Sequence, residues 1–128
     1  MEDTTILIVD DEKKIRELLD LRLTDEGFTV IQAADGEEGV LAARKHSPDL
    51  ILMDVMMPKM DGAESANALQ QDPATKDIPV IFLTSMITKE EETSQAFGIE
   101  IDTKKYKFIA KPFETPSLIA EIHKALNK

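Results

Sequence analysis

The stretch that constrains this chain most is the apolar run Leu50–Met53, which stops abruptly at a carboxylate, Asp54. Turn-forming pairs bound the run, with Pro48-Asp49 before it and Met57-Pro58 after it. A short continuous apolar run between turn signals is typical of a strand buried on both faces, as in a parallel sheet covered by helices. Asp54 is therefore predicted at the carboxyl end of a central strand, where open parallel sheets form their ligand-binding crevices.

Four further strands are predicted, and helical segments separate all five strands from one another. The further strands are Thr5–Val9, Phe28–Ala33, Val80–Leu83 and Phe108–Ala110. The helical segments are Glu12–Glu26, Glu37–Lys45, Ala63–Gln71, Thr88–Phe97 and a closing helix marked by Leu118, Ile119, Ile122, Ala125 and Leu126. Strands that alternate with helices form right-handed βαβ units. The predicted fold class is α/β, a doubly wound five-stranded parallel sheet with five helices, in a single domain spanning residues 1–128.

The composition excludes several classes of function. The chain has no cysteine, which rules out disulfides, thiolate catalysis and cysteine-ligated zinc. Its formal charge of −10 at pH 7 disfavours a nucleic-acid partner for this domain, because phosphate contacts need a basic face. The sequence has no apolar run long enough to span a membrane, and its N-terminus is too acidic for a signal peptide. A cytoplasmic location is expected.

Polar residues follow four of the five predicted strands, at the points where those strands end. They are Asp10 and Asp11, Asp54, Thr84, and Lys111. The carboxyl ends of parallel strands meet at one edge of a sheet, so these side chains are expected close together. Clustered carboxylates raise one another's pKa values unless a cation intervenes, and an all-oxygen site favours Mg²⁺. A lysine and a hydroxyl beside such a site predict binding of a phosphoryl group, with a carboxylate placed to accept it.

Taken together, these motifs resemble a response-regulator receiver domain of two-component signalling, and the similarity covers nearly the whole chain. The motifs are Asp10-Asp11, Asp54, Met57-Pro58, Met60-Asp61-Gly62, Thr84 and Lys111-Pro112-Phe113, each after a predicted strand. The resemblance implies a flavodoxin-like sheet of strand order 2-1-3-4-5. It also implies a phosphorylation-driven switch, which catalyses its own Mg²⁺-dependent phosphorylation and dephosphorylation but is not a metabolic enzyme.

The resemblance assigns the phosphoryl and metal chemistry to particular residues. Asp54 would be the phosphoacceptor, and a sensor histidine kinase, a phosphotransfer protein or a small donor such as acetyl phosphate would supply the group. Asp11, Asp54 and the backbone carbonyl of Met56 would ligate Mg²⁺, while Asp10 would help to hold the ion through water.

Three more residues receive roles by the same resemblance. Lys111 would pair with the phosphoryl oxygens, and Thr84 would move inward to bond one of them. Phe108, the aromatic residue three positions before the lysine, would rotate into the space that the threonine leaves, although a plain core aromatic is an alternative for it. Tyr106 is predicted in a loop. The expected partners are the kinase and an unidentified downstream protein, with no membrane contact, and the chain is expected as a monomer or a phosphorylation-dependent dimer.

Other interpretations fit the residues less well. Each strand-end aspartate could be a helix cap. A phosphatase of the haloacid-dehalogenase type would need a second aspartate where the chain has Met56, and a flavodoxin-like cofactor binder would need a phosphate loop where it has DDEKK. A degenerate receiver is disfavoured because all the expected positions are filled. The chain departs from the family in its longer segment 98–107, which is interpreted as a partner-specific loop. It is expected to be a single domain without an output domain, either a stand-alone receiver or one cut from a larger regulator.

Overall fold

The computed structural model describes residues 4–54, 62–84, 106–110 and 114–126, with the backbone alone at 62–63, 84, 106–108 and 110. These residues form five strands and four helices. In chain order they are β1 (Thr5–Val9), α1 (Lys13–Asp25), β2 (Thr29–Ala33), α2 (Gly36–His46), β3 (Leu50–Asp54), α3 (Gly62–Gln70), β4 (Val80–Thr84), β5 (Tyr106–Ala110) and α4 (Thr115–Ala125).

The five strands form one parallel sheet in the order β2-β1-β3-β4-β5, as the resemblance implied. Strand β1 lies between β2 and β3, so the chain winds outward in one direction from β1 to β2 and in the other from β3 to β5. The point between β1 and β3 is where the winding direction reverses, and the carboxyl edge at such a point is where open parallel sheets bind ligands.

Helices cover both faces of the sheet, and β3 shows how one strand serves both. Leu50 and Leu52 pack in a cluster that includes residues of α1 and α4, whereas Ile51 and Met53 pack in a second cluster with residues of α2 and α3. All four side chains are completely buried. A strand alternates its side chains between faces, so a run with no polar residue is what a doubly covered sheet requires.

Strand β5 differs from the prediction at its start. It begins at Tyr106, two residues before the predicted Phe108, so the assignment of Tyr106 to a loop is wrong. The backbone of Tyr106 pairs with that of Val80, and this tertiary partner extends the strand. The predicted helix 88–97 lies outside the described residues, as does the segment 98–107 apart from its last two residues, which belong to β5.

Helix ends follow the turn residues of the sequence. Gly27, which directly follows the predicted helical segment Glu12–Glu26, adopts a left-handed φ of 100° after the C-cap residue Glu26. The Asp35 carboxylate caps α2 by accepting a hydrogen bond from the Glu38 backbone N–H at 2.8 Å. At the other end of α2, the C-cap residue Ser47 is left-handed with φ 46°, a conformation that favours glycine.

Replacing Ser47 by Gly is expected to stabilise the protein by about 0.5–1 kcal/mol. The left-handed conformation carries a steric cost for any residue with a Cβ, which outweighs the added backbone entropy of glycine in the unfolded chain. Urea unfolding should show the higher midpoint. Ser47→Ala is the matched control, because it removes the hydroxyl and keeps the Cβ; a gain as large in this variant would contradict the explanation.

An ion pair ties α2 to the turn that follows α3. Arg44 Nε lies 2.7 Å from Asp72 Oδ2, and the backbone N–H of Ala74 donates to Asp72 Oδ1 at 2.9 Å. The Ala74 N–H, with the Arg44 guanidinium beside it, holds the pKa of the Asp72 carboxyl below its ordinary value, against a smaller opposing effect of burial. The pair lies on the helical layer that covers β1 and β3.

Candidate functional site

Asp54 occupies the position that the apolar run predicted, as the last residue of β3. Its backbone pairs with Leu83 of β4, and the residue is 6% exposed. The strands on both sides, β1 and β4, are themselves covered by helices, and the carboxylate lies at the carboxyl edge of the sheet.

Asp10 and Asp11 follow β1 at the same edge. The Asp10 backbone N–H donates to the carbonyl of Ala33 at 3.2 Å, which continues the pairing of β1 with β2 by one residue. Asp10 is 1% exposed, and its Oδ1 accepts a hydrogen bond from the Glu12 N–H at 2.9 Å. Asp11 is exposed, and the residue at the N-cap of α1 is Glu12 rather than Asp11.

The three carboxylates converge. One carboxylate oxygen from each of Asp10, Asp11 and Asp54 lies within 4.8 Å of the other two. Negative charges this close repel one another strongly where two of the three groups are buried, and a cation between them would remove that cost. The donor set is all oxygen and partly open to water on the Asp11 side, which fits a hard cation such as Mg²⁺ that retains some of its waters.

Of the other four predicted site residues, the structure describes the backbone of two. The backbone of Thr84 ends β4 and pairs with Ala110, and the backbone of Phe108 pairs with Phe82 inside the sheet. Both therefore lie at the strand positions that the motif requires. Met56 and Lys111 lie outside the described residues. The roles predicted for all four stay predictions.

Arg16 is a residue of the site that sequence reasoning missed. Its Nη1 donates to the backbone carbonyl of Asp10 at 2.7 Å, and its Nε donates to Oε1 of Gln32 on β2 at 3.3 Å. A cation about one turn into the helix that follows the acidic pair was the available signal. The apolar positions of α1, on which the helix was predicted, give no indication of this contact.

Within the described part of the chain, no helix is both long and apolar enough to cross a lipid bilayer.

Comparison with known proteins places the chain among signalling proteins. The family model described as "Response regulator receiver domain" matches residues 6–123. A relative from Pyropia yezoensis, named "Probable transcriptional regulator ycf27", is 41% identical over 123 residues, which cover 96% of this chain and 47% of the relative.

Two further matches extend the comparison. The regulator PhoP of Bacillus subtilis, named for alkaline phosphatase synthesis, is 38% identical over 96% of this chain and 48% of its own length. The structure of the chemotaxis protein CheY4 of Vibrio cholerae superposes with a TM-score of 0.81 at 29% identity, and covers 96% of this chain and 98% of that one. The chain thus spans about half the length of these two transcriptional relatives and nearly all of the chemotaxis protein.

Proposed function

The chain belongs to the response-regulator receiver-domain family, and we propose that it accepts a phosphoryl group on Asp54 in the presence of Mg²⁺ and thereby switches a protein-binding surface. The observation that carries the proposal is the convergence of the Asp10, Asp11 and Asp54 carboxylates at the carboxyl edge of the sheet. Asp54 is the member of this cluster that lies in the central strand, between β1 and β4.

The chemistry is a single displacement at phosphorus. An oxygen of the Asp54 carboxylate forms the new P–O bond, and the bond from phosphorus to the donor breaks, which leaves the donor's histidine nitrogen or acetate oxygen with the electron pair. A bound Mg²⁺ would neutralise charge on the phosphoryl oxygens during this transfer. Asp10, Asp11 and Asp54 are the described residues that would hold the ion. Asp54 is largely buried, and packing around its side chain would restrict the orientations of the attacking oxygen.

The remaining residues of the motif complete the proposal. The Met56 carbonyl adds a ligand for the ion, Lys111 pairs with the phosphoryl oxygens, and Thr84 bonds one of them after transfer. Phe108 rotates into the space that the Thr84 side chain leaves, which changes the protein-binding surface. The ends of β4 and β5, where Thr84 and Ala110 pair, support this arrangement because they bring the threonine and the residue before Lys111 to the edge that carries the acidic cluster.

The proposed donor is a sensor histidine kinase, a phosphotransfer protein or a small phosphodonor, and the proposed target is another protein. The two transcriptional relatives favour an output in the control of transcription. On this proposal the chain has no metabolic substrate, catalyses only its own phosphorylation and dephosphorylation, and acts in the cytoplasm.

Intact-mass measurement after incubation with acetyl phosphate tests the proposal directly. The wild-type chain is expected to gain one phosphoryl group when Mg²⁺ is present and none when the ion is removed with a chelator. Failure to form the adduct with either acetyl phosphate or a panel of phosphorylated histidine kinases would contradict the proposal. The acidic cluster would then serve only to bind a cation or a protein, as in a degenerate receiver.

A further inference from the structure

We infer that Arg16 is a positioning residue for the acidic cluster, and that Gln32 and Asp20 hold it in place. The inference rests on the proposed function, since it concerns the Mg²⁺ site of that proposal. Nothing in the receiver motif assigns a role to these three side chains, which come from α1 and β2 and lie beside the cluster rather than in it.

The turn between β1 and α1 sets the directions of the Asp10 and Asp11 side chains. Among the described residues, hydrogen bonds that hold this turn include three: Asp10 N–H to the Ala33 carbonyl at 3.2 Å, Glu12 N–H to Asp10 Oδ1 at 2.9 Å, and Arg16 Nη1 to the Asp10 carbonyl at 2.7 Å. The third is the shortest and is charge-assisted, so it is the strongest of the three. It fixes the peptide that joins Asp10 to Asp11 and therefore the angle between the two carboxylates.

A chain of side-chain hydrogen bonds orients the guanidinium. Arg16 Nε donates to Gln32 Oε1 at 3.3 Å, and Gln32 Nε2 donates to Asp20 Oδ2 at 2.6 Å. The other oxygen of Asp20 accepts from the Thr24 hydroxyl at 2.9 Å. Because Asp20 can only accept, it turns the Gln32 amide so that its oxygen faces Arg16. This series of hydrogen bonds runs from Asp20, one helical turn past Arg16 on α1, to Gln32 on β2 and back to Arg16. It ties the helix to the edge strand beside the site.

Removing Arg16 should change the affinity for Mg²⁺ in opposite directions, depending on whether the residue positions the carboxylates or acts only through its charge. A guanidinium bound to the main chain of Asp10 places a positive charge near the cluster, so removing the charge alone should strengthen Mg²⁺ binding. If Arg16 positions the carboxylates, removing it should weaken Mg²⁺ binding, because the ion must then order the turn as it binds. Residues that orient metal ligands contribute about 10- to 100-fold in metal affinity.

Isothermal titration of the full chain with MgCl₂ tests the inference without any measurement of phosphorylation. Arg16→Met, which keeps the length of the side chain, is expected to raise the Kd for Mg²⁺ about tenfold. Gln32→Met, which changes no charge, should have a smaller effect, on the order of threefold and below the range for direct orienting partners, because Arg16 keeps its own bond to the Asp10 carbonyl. Arg16→Lys, which can reach the Asp10 carbonyl but cannot also bond Gln32, should recover part of the loss. Each variant is titrated at a temperature where it is fully folded, so a loss of stability alone leaves Kd unchanged.

Arg22→Met is the matched control for charge. Arg22 lies on the same helix, about 9 Å further from its start, is exposed, and makes no ion pair within the described part of the chain. Its replacement should leave the Kd for Mg²⁺ unchanged or slightly lower. An Arg16→Met variant that binds Mg²⁺ as tightly as the wild type, or more tightly, would overturn the inference.

The double variant Arg16→Met/Gln32→Met tests whether Gln32 acts through Arg16. If it does, the double variant binds Mg²⁺ no more weakly than Arg16→Met alone; effects that simply add would overturn that part. The wild type distinguishes the inference from the function on which it rests. A wild type that binds no Mg²⁺ and takes no phosphoryl group contradicts the proposed function, whereas a functional wild type with an unaffected Arg16→Met variant contradicts only the role of Arg16.

Discussion

Replacing Asp54 by Asn is expected to abolish the phosphoryl adduct completely. The amide has nearly the shape of the carboxylate, so it fits the buried end of β3, but its oxygen carries no negative charge and is a poor nucleophile. The variant also removes one of the three converging carboxylates, so Mg²⁺ should bind more weakly. Intact mass after incubation with acetyl phosphate and Mg²⁺ measures the adduct.

Misfolding is not expected to explain that loss. Removing one charge from a cluster of three relieves repulsion between the carboxylates, so the free energy of unfolding without Mg²⁺ should be unchanged or higher. Asp77→Asn is the matched control, since Asp77 is exposed and precedes β4, at the amino edge of the sheet opposite the site. The control should form the adduct as the wild type does. A full adduct on Asp54→Asn would place the phosphoryl group on another residue.

Replacing Gly39 by Ala is expected to destabilise the protein by about 2 kcal/mol, although alanine is the better helix former. Gly39 lies in α2 over the end of β1, where an added Cβ would be 2.8 Å from Cγ2 and 2.9 Å from Cγ1 of Val9. Both methyl groups of the valine stand in the way, so no rotation of the side chain relieves the contact. Val9 is 1% exposed and precedes Asp10, so the strand end and the site must shift with it. Urea unfolding measures the loss.

A double-mutant cycle with Val9→Ala identifies the contact responsible. Val9→Ala alone loses buried apolar surface and should cost about 1–3 kcal/mol. In Gly39→Ala/Val9→Ala the clash is gone, so the double variant should be more stable than the sum of the two single effects by about 1 kcal/mol or more. Strict additivity would show that the cost at Gly39 has another source. Mg²⁺ binding by Gly39→Ala, measured in the same way as for the Arg16 variants, should also be weaker.

The features of this protein that the sequence by itself determined are those that depend on short stretches of neighbouring residues, such as strand ends, helix ends and the strand-end motif. A four-residue apolar run between turn signals is typical of a strand that is covered on both faces, and this pattern predicted Asp54 at a strand end in the middle of the sheet. Gly27 follows α1 in the left-handed conformation that glycine tolerates, and the Asp35 carboxylate caps the start of α2, as the local chemistry of these residue types favours. The motif at the strand ends identified the family and the acidic cluster, because parallel strands present their carboxyl ends at one edge.

Tertiary structure alone decided the features that depend on residues distant in sequence. Tyr106 belongs to β5 because Val80 offers its backbone a partner, and no local pattern around Tyr106 expresses that pairing. Gly39 is required because α2 passes close to Val9 of β1. These two residues are thirty positions apart, and the local sequence of neither element predicts their contact. Arg16 and Gln32 look like ordinary surface residues in the sequence; only the packing of β2 beside α1 lets Gln32 accept a hydrogen bond from Arg16 while Arg16 donates to the carbonyl of Asp10. Hydrophobic periodicity predicts which residues are buried, whereas the polar contacts that orient a site depend on how the elements are packed.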